Sequence, residues 1–126
     1  MASELRVTTI ANNAGTESVD TTYVINGSAK AWVNFNGTGT VAIRDSVNVA
    51  SLTDGGTGTY SYTVSNSCAN TNFSCQGTSH AVGLAWMFSP QTFADSTSVA
   101  RFYVVTSSGG SGDASQCDGT INGDLA

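Results

Sequence analysis

His80 is the only imidazole in the chain, so a Ser-His-Asp relay would have to run through it. No GxSxG elbow presents a serine, and His80 falls where a polar stretch meets an apolar one, which reads as a structural histidine. Glycoside hydrolysis needs two carboxyl groups flanking a cleft. Asp45, Asp54 and Asp95 each fall at a turn or strand end, where aspartate is a turn former. Cys68, Cys75 and Cys117 are odd in number, and only the first two are close enough in sequence to close a small loop. Such a bridge would stabilise by about 2–3 kcal/mol through loop entropy, whereas a reducing cytoplasm favours two loop thiols and a spare Cys117. Zinc lacks a ligand set, because there is no CxxC and one histidine. Asp118 to Asp124 offers oxygen ligands without the Asp-x-Asp-x-Asp-Gly spacing that wraps calcium, so turn chemistry explains it. Asn-x-Ser/Thr triplets such as Asn36-Gly37-Thr38 and Asn72-Phe73-Ser74 read as turns as well. The expectation is a non-enzyme with no metal and no cofactor.

Binding is the chemistry left. Trp32, Tyr60, Tyr62, Trp86 and Tyr103 could stack on a pyranose, but rings in alternating strands more often serve a core or a subunit interface. They are therefore expected to pack in the core or in an interface between chains. Composition narrows the partner. Charged residues are 10% of the 126, against about 25% in an average domain. Arg6, Lys30, Arg44 and Arg101 are the only cations, too few for a basic face that neutralises phosphates, which excludes nucleic acid. No apolar run reaches the roughly 20 residues that span a bilayer, and Met1 to Ile10 lacks the order of a signal peptide. Synthesis in the cytoplasm, without membrane insertion, is the expectation.

Ser, Thr, Gly and Asn supply 58 of 126 residues. The hydroxyl residues suit an uncharged strand surface and the other two suit turns, so the chain reads as all-β. Leu5 to Ile10 and Thr22 to Ile25 are β-prone but too poor in apolar residues for a core of their own. Residues 1–27 should therefore pair onto the main domain or pack against other chains as an arm, with Leu5, Val7 and Ile10 as its anchors. From Lys30 the alternation sharpens: Ala31, Val33 and Phe35 share one face, Trp32 and Asn34 the other. Further strands follow at Thr40–Arg44, Val47–Leu52, Tyr60–Val64, the apolar Ala81–Phe88, and Val99–Val105. Residues 65–79 read as one exposed loop, with Ser67, Asn70, Asn72, Phe73 and Gln76 as its outward contacts. Ser107 to Gly112 reads as a hinge, so residues 28–107 form the domain and 108–126 a hinge and polar tail. The predicted architecture is an antiparallel β-sandwich, jelly-roll-like, of roughly six to eight strands. So few large apolar residues also favour burial shared between chains.

Gly27 to Ser46, the string GSAKAWVNFNGTGTVAIRDS, resembles a segment of small virion and tail-fibre-like proteins of bacteriophages, many of them marine. Asn48 to Asp54 is similar to their NVxSLTD-type strand, Gly56 to Tyr60 to their GTGxY turn, and Leu5 to Thr16 to their LxVxTIxNxxGT opening. About half the chain, residues 5 to 65, carries the resemblance. It implies a non-enzymatic, homotrimeric virion structural protein, made in a bacterial cytoplasm and carried on the particle surface. Its arm would join other virion proteins of the capsid or tail. Its domain would project as a tail fibre, tip or head fibre that adheres to a host-surface glycan or protein. The other readings are a decoration protein that cements capsid contacts and a free-standing lectin-like module, which would work without residues 1–27.

Overall fold

Alternation builds the body. In the computed structural model, which describes residues 3–80, 87–89 and 94–126, eleven strands and one helix are present among the described residues. They are β1 (Thr9–Ala11), β2 (Ser18–Asp20), α1 (Thr21–Gly27), β3 (Ala31–Asn36), β4 (Ala42–Val47), β5 (Val49–Asp54), β6 (Thr59–Val64), β7 (Ser74–His80), β8 (Met87–Ser89), β9 (Ala94–Ser96), β10 (Val99–Val105) and β11 (Gln116–Asn122). Half of the described residues are strand and 6% are helix, with every sheet among them antiparallel, so the protein is all-β. The expected strand at Ala81–Phe88 lies largely outside the described residues, and Trp86 with it.

Two sheets pack face to face. One runs β4-β3-β11-β7; the other runs β5-β6-β10-β8, with β9 also paired to β10. Ala31, Val33, Phe35, Cys117 and Ile121 of the first meet Tyr60, Tyr62, Val64, Ala100, Phe102 and Val104 of the second in one buried core. Phe35 meets Tyr60 edge to face at 5.1 Å, and Tyr62 stacks on Phe102 at 4.9 Å. Both geometries suit the ring quadrupole.

Several expectations need correction. Val47–Leu52 is not one strand, because Asn48 adopts φ 56° and ends β4 in one sheet while β5 begins in the other. Asn tolerates this left-handed conformation better than other side chains. Its side chain also holds the corner: Nδ2 donates to Lys30 O (3.0 Å) and Asn66 O (3.1 Å), and Oδ1 accepts from Asn66 N (2.7 Å) and Asn66 Nδ2 (3.1 Å).

Nor is there a tail after residue 107. Thr106, Gly109 and Gly110 close a tight turn, Val105 bridges to Ser111, and β11 then pairs with both β3 and β7. The body extends to the C-terminus, where Ala126 N donates to Ser67 O (2.9 Å). β11 hides its strand character because its inner residues are Cys117, Gly119 and Ile121. A Cβ at Gly119 would sit 3.0 Å from Phe102 Cζ and 3.1 Å from Tyr62 Cε1, so the rings opposite fill the space a bulky residue would otherwise occupy.

Residues 65–79 are likewise not one loop. Ser74–His80 is β7, the last strand of its sheet among the described residues, whose inner positions are the small Cys75, Gly77 and Ser79. Small and polar residues on both faces conceal a strand from any hydrophobic pattern. Thr22–Ile25 is helical rather than extended, because Asp20 caps it through Thr22 N (2.7 Å) and outweighs the weak β preference of its neighbours.

Candidate functional site

The first candidate surface is the N-terminal segment. Asn12 builds the turn between β1 and β2: Asn12 N donates to Glu17 O (3.0 Å), and Asn12 Oδ1 accepts from Thr16 N (3.1 Å). Thr21 then fastens the helix start to the chain ahead of β1, donating from Oγ1 to Val7 O (3.0 Å) and Thr8 O (3.1 Å). This arm is a hairpin and a short helix, not an extended chain. Every described residue from 3 to 29 is exposed except the half-buried Thr21. Leu5, Val7 and Ile10 line one groove with Val24 and Ile25. Leu5 is 84% exposed, Ile25 62% and, beyond the groove, Tyr23 75%. From the body, the Lys30 ammonium reaches back to this segment, donating to Ile25 O and to Ser28 Oγ.

The expected contact residues divide. Asn70, Asn72 and Gln76 are exposed, whereas Ser67 and Phe73 are half-buried and Phe73 packs against the core. Around them the chain is strapped down: Cys68 N donates to Thr97 O and Ala69 N to Asp124 O, each 2.8 Å, and Cys68 bridges Leu125. Gln76 lies on β7 rather than in a loop, pairing with Thr120.

The aromatic group divides too. Tyr60 and Tyr62 are buried in the core, while Trp32 and Tyr103 are half-buried on the outer sides of their strands, and Trp86 lies outside the described residues. Tyr60 donates to Gly37 O and Asp113 Oδ1, each at 2.8 Å, and Asp113 Oδ1 also accepts from Gly58 N (2.8 Å). Burial, then the Asp113 carboxylate, raises the Tyr60 hydroxyl well above its ordinary range. Tyr62 Oη is buried with no hydrogen-bond partner among the described residues, and burial raises it likewise.

All three cysteines are free, and none is a loop thiol awaiting a partner. Cys68 and Cys117 are buried, and Cys75 is half-buried against the core. Burial pushes the Cys75 and Cys117 thiols up to about 12, helped by Cys68 and Asp118 respectively, and it raises Cys68 as well. Such thiols stay protonated near neutrality and make poor nucleophiles. Among the described residues no group of three His, Cys, Asp or Glu side chains is arranged to hold a metal, and no helix is long and apolar enough to cross a membrane.

A second surface escapes the sequence reading. On the outer face of the β4-β3-β11-β7 sheet, the Asp118 carboxylate accepts from Asn34 Nδ2, from Gln116 Nε2 (3.3 Å) and, at the 3.5 Å limit, from Thr78 Oγ1. Asp118 stands opposite Asn34 on β3 and Thr78 on β7, and Thr120 stands opposite Trp32 and Gln76. The alternation of Gln116, Asp118, Thr120 and Asn122 is the signal that could have exposed this face, had Gly119 not broken the apolar half of the pattern.

Compared with known proteins, the chain matches no family model, no curated protein and no solved structure.

Proposed function

We propose that the chain is a non-enzymatic virion structural protein of a bacteriophage, a homotrimeric surface appendage that anchors through its N-terminal arm, residues 1–27, and contributes to host adhesion through its jelly-roll-like sandwich. The observation that carries this reading is the contrast between the two parts. The sandwich buries its own core, whereas the arm exposes Leu5, Val7, Ile10, Val24 and Ile25 along one groove and buries none of them. An apolar patch of this kind on a small soluble chain marks an interaction surface. The phage-like strings at Leu5–Thr16 and Gly27–Ser46 coincide with the arm and with the strand that begins the body. The exposed helix and hairpin give other virion chains, or sister copies, an apolar seat.

Immunogold electron microscopy with antibody against residues 28–107, on particles of the phage that encodes the chain, tests the reading. Label on tail or head is expected. Leu5→Glu with Ile25→Glu should reduce incorporation severalfold while leaving the unfolding midpoint of the purified protein unchanged, since neither residue touches the core. Light scattering should return three times the chain mass. Unlabelled particles would overturn the virion assignment, and a monodisperse monomer the trimer.

A further inference from the structure

We infer that the outer face of the β4-β3-β11-β7 sheet holds a glycan subsite for an uncharged hexopyranose, formed by Trp32, Asn34, Asp118, Thr120, Gln76 and Thr78. The inference rests on the adhesion reading and names the ligand class that reading leaves open. The rows of the sheet place one aromatic residue beside a polar cluster. Trp32 and Gln76 flank Thr120 in one row, and Asn34 and Thr78 flank Asp118 in the next. Gln76, Gly77, Thr78, Asp118 and Thr120 enclose a shallow hollow. A pyranose needs an apolar ring for its C–H face together with hydrogen-bonding groups for its hydroxyls, and the pair of rows supplies both.

The hydrogen-bond inventory gives the cluster its direction. The Asp118 carboxylate is fixed by Asn34, Gln116 and Thr78, which orients it while leaving acceptor capacity on its oxygens. The Trp32 indole N–H, the Thr120 hydroxyl and the Gln76 amide enter no hydrogen bond among the described residues, so donors and acceptors stand open beside an oriented carboxylate. Such pre-orientation lowers the ordering cost of binding.

Charge selects the sugar. Asp118 and Asp45 are acids on this face, standing opposite Asn34 on either side of β3. With a net charge of -5 on the chain, sialic and uronic acids are repelled and neutral hexoses are not. A second protein is the poorer occupant, because covering this face would bury amide and carboxylate groups around a single large ring.

The test uses the purified full chain on an array of neutral glucosyl, galactosyl, mannosyl and N-acetylglucosaminyl oligosaccharides, with sialylated and uronic-acid counterparts at equal density. Binding to at least one neutral class and exclusion of the acidic ones is expected. Trp32→Ala and Gln76→Ala should each weaken binding by about tenfold or more, with Trp32→Phe retaining part of it. Thermal melting of each variant separates lost binding from lost fold. Absence of neutral binding, equal binding of acidic glycans, or full binding by Trp32→Ala with Gln76→Ala overturns the inference. A change of oligomeric state in Trp32→Ala without loss of glycan also overturns it, because the face would then serve sister copies. Particles that carry the protein while it binds no glycan would sink the subsite and leave the virion reading standing; glycan binding by a chain missing from particles would do the reverse.

Discussion

Removing one oxygen from each of two tyrosines on β6 should move stability in opposite directions. Tyr60 and Tyr62 are both 1% exposed, both pack against a phenylalanine, and both present a hydroxyl inside the sandwich. Tyr60 Oη lies 2.8 Å from Gly37 O and 2.8 Å from the Asp113 carboxylate, joining the β3–β4 turn to the segment before β11. A hydrogen bond to a charged group contributes about 1.5–3 kcal/mol net, so Tyr60→Phe should lose about 2–3 kcal/mol. Tyr62 Oη has been desolvated with no partner among the described residues. Leaving such a group unpaired costs about 1–3 kcal/mol, so Tyr62→Phe should gain about 1 kcal/mol once the smaller ring volume is set against it. The two variants should therefore differ by about 3–4 kcal/mol, or roughly 10 °C in melting temperature for a chain of this size. Urea unfolding followed by tryptophan fluorescence measures the difference, with the denaturant slope held as the check that the unfolded state is unchanged. A double cycle of Tyr60→Phe with Asp113→Asn should show coupling of about 1–2 kcal/mol. Equal losses in both tyrosine variants, or no coupling to Asp113, would refute the hydroxyl accounting.

At the sheet crossover, Asn48→Gly keeps the positive φ but removes the bonds to Lys30 and Asn66, whereas Asn48→Ala also adds backbone strain. Losses of about 2 and 3–4 kcal/mol respectively are expected in the same unfolding assay. Gly119→Ala forces a methyl to about van der Waals overlap with the Phe102 and Tyr62 rings, and should cost about 1–3 kcal/mol by thermal melting. The Cys75 and Cys117 thiols are raised in the folded state to about 12. Their contribution is therefore full below the unfolded thiol value of roughly 8.5 and is lost as pH climbs through the folded value. Stability should fall between pH 9 and 11, and Cys117→Ala should flatten that slope. For Asp20, hydrogen bonds from Thr22 lower the carboxyl, so the α1 cap holds above the ordinary carboxylate value and fails as pH drops through the lowered one. Amide chemical shifts of Thr22 to Ile25 would report that fraying.

Period-two alternation with bulky inner residues was legible in the chain alone: Ala31, Val33 and Phe35, then Tyr60, Tyr62 and Val64, then Ala100, Phe102 and Val104 each declare a buried face. The all-β class follows from those strands and from the Gly- and Asn-rich turns between them. What the sequence could not declare was any strand whose inward positions are small because something large stands opposite. Gly119 is glycine because Phe102 and Tyr62 fill its place, and β7 turns only the small Cys75, Gly77 and Ser79 inward, so both strands read as loop or tail. The candidate sugar-binding face was lost with them, since Asp118 and Gln76 become neighbours of Trp32 only when β11 inserts between β3 and β7. Local chemistry specified the strands that fill the core. Complementary volume across the core, a property of residues far apart in the chain, specified the strands that make room for it, and only the tertiary structure contains that relation.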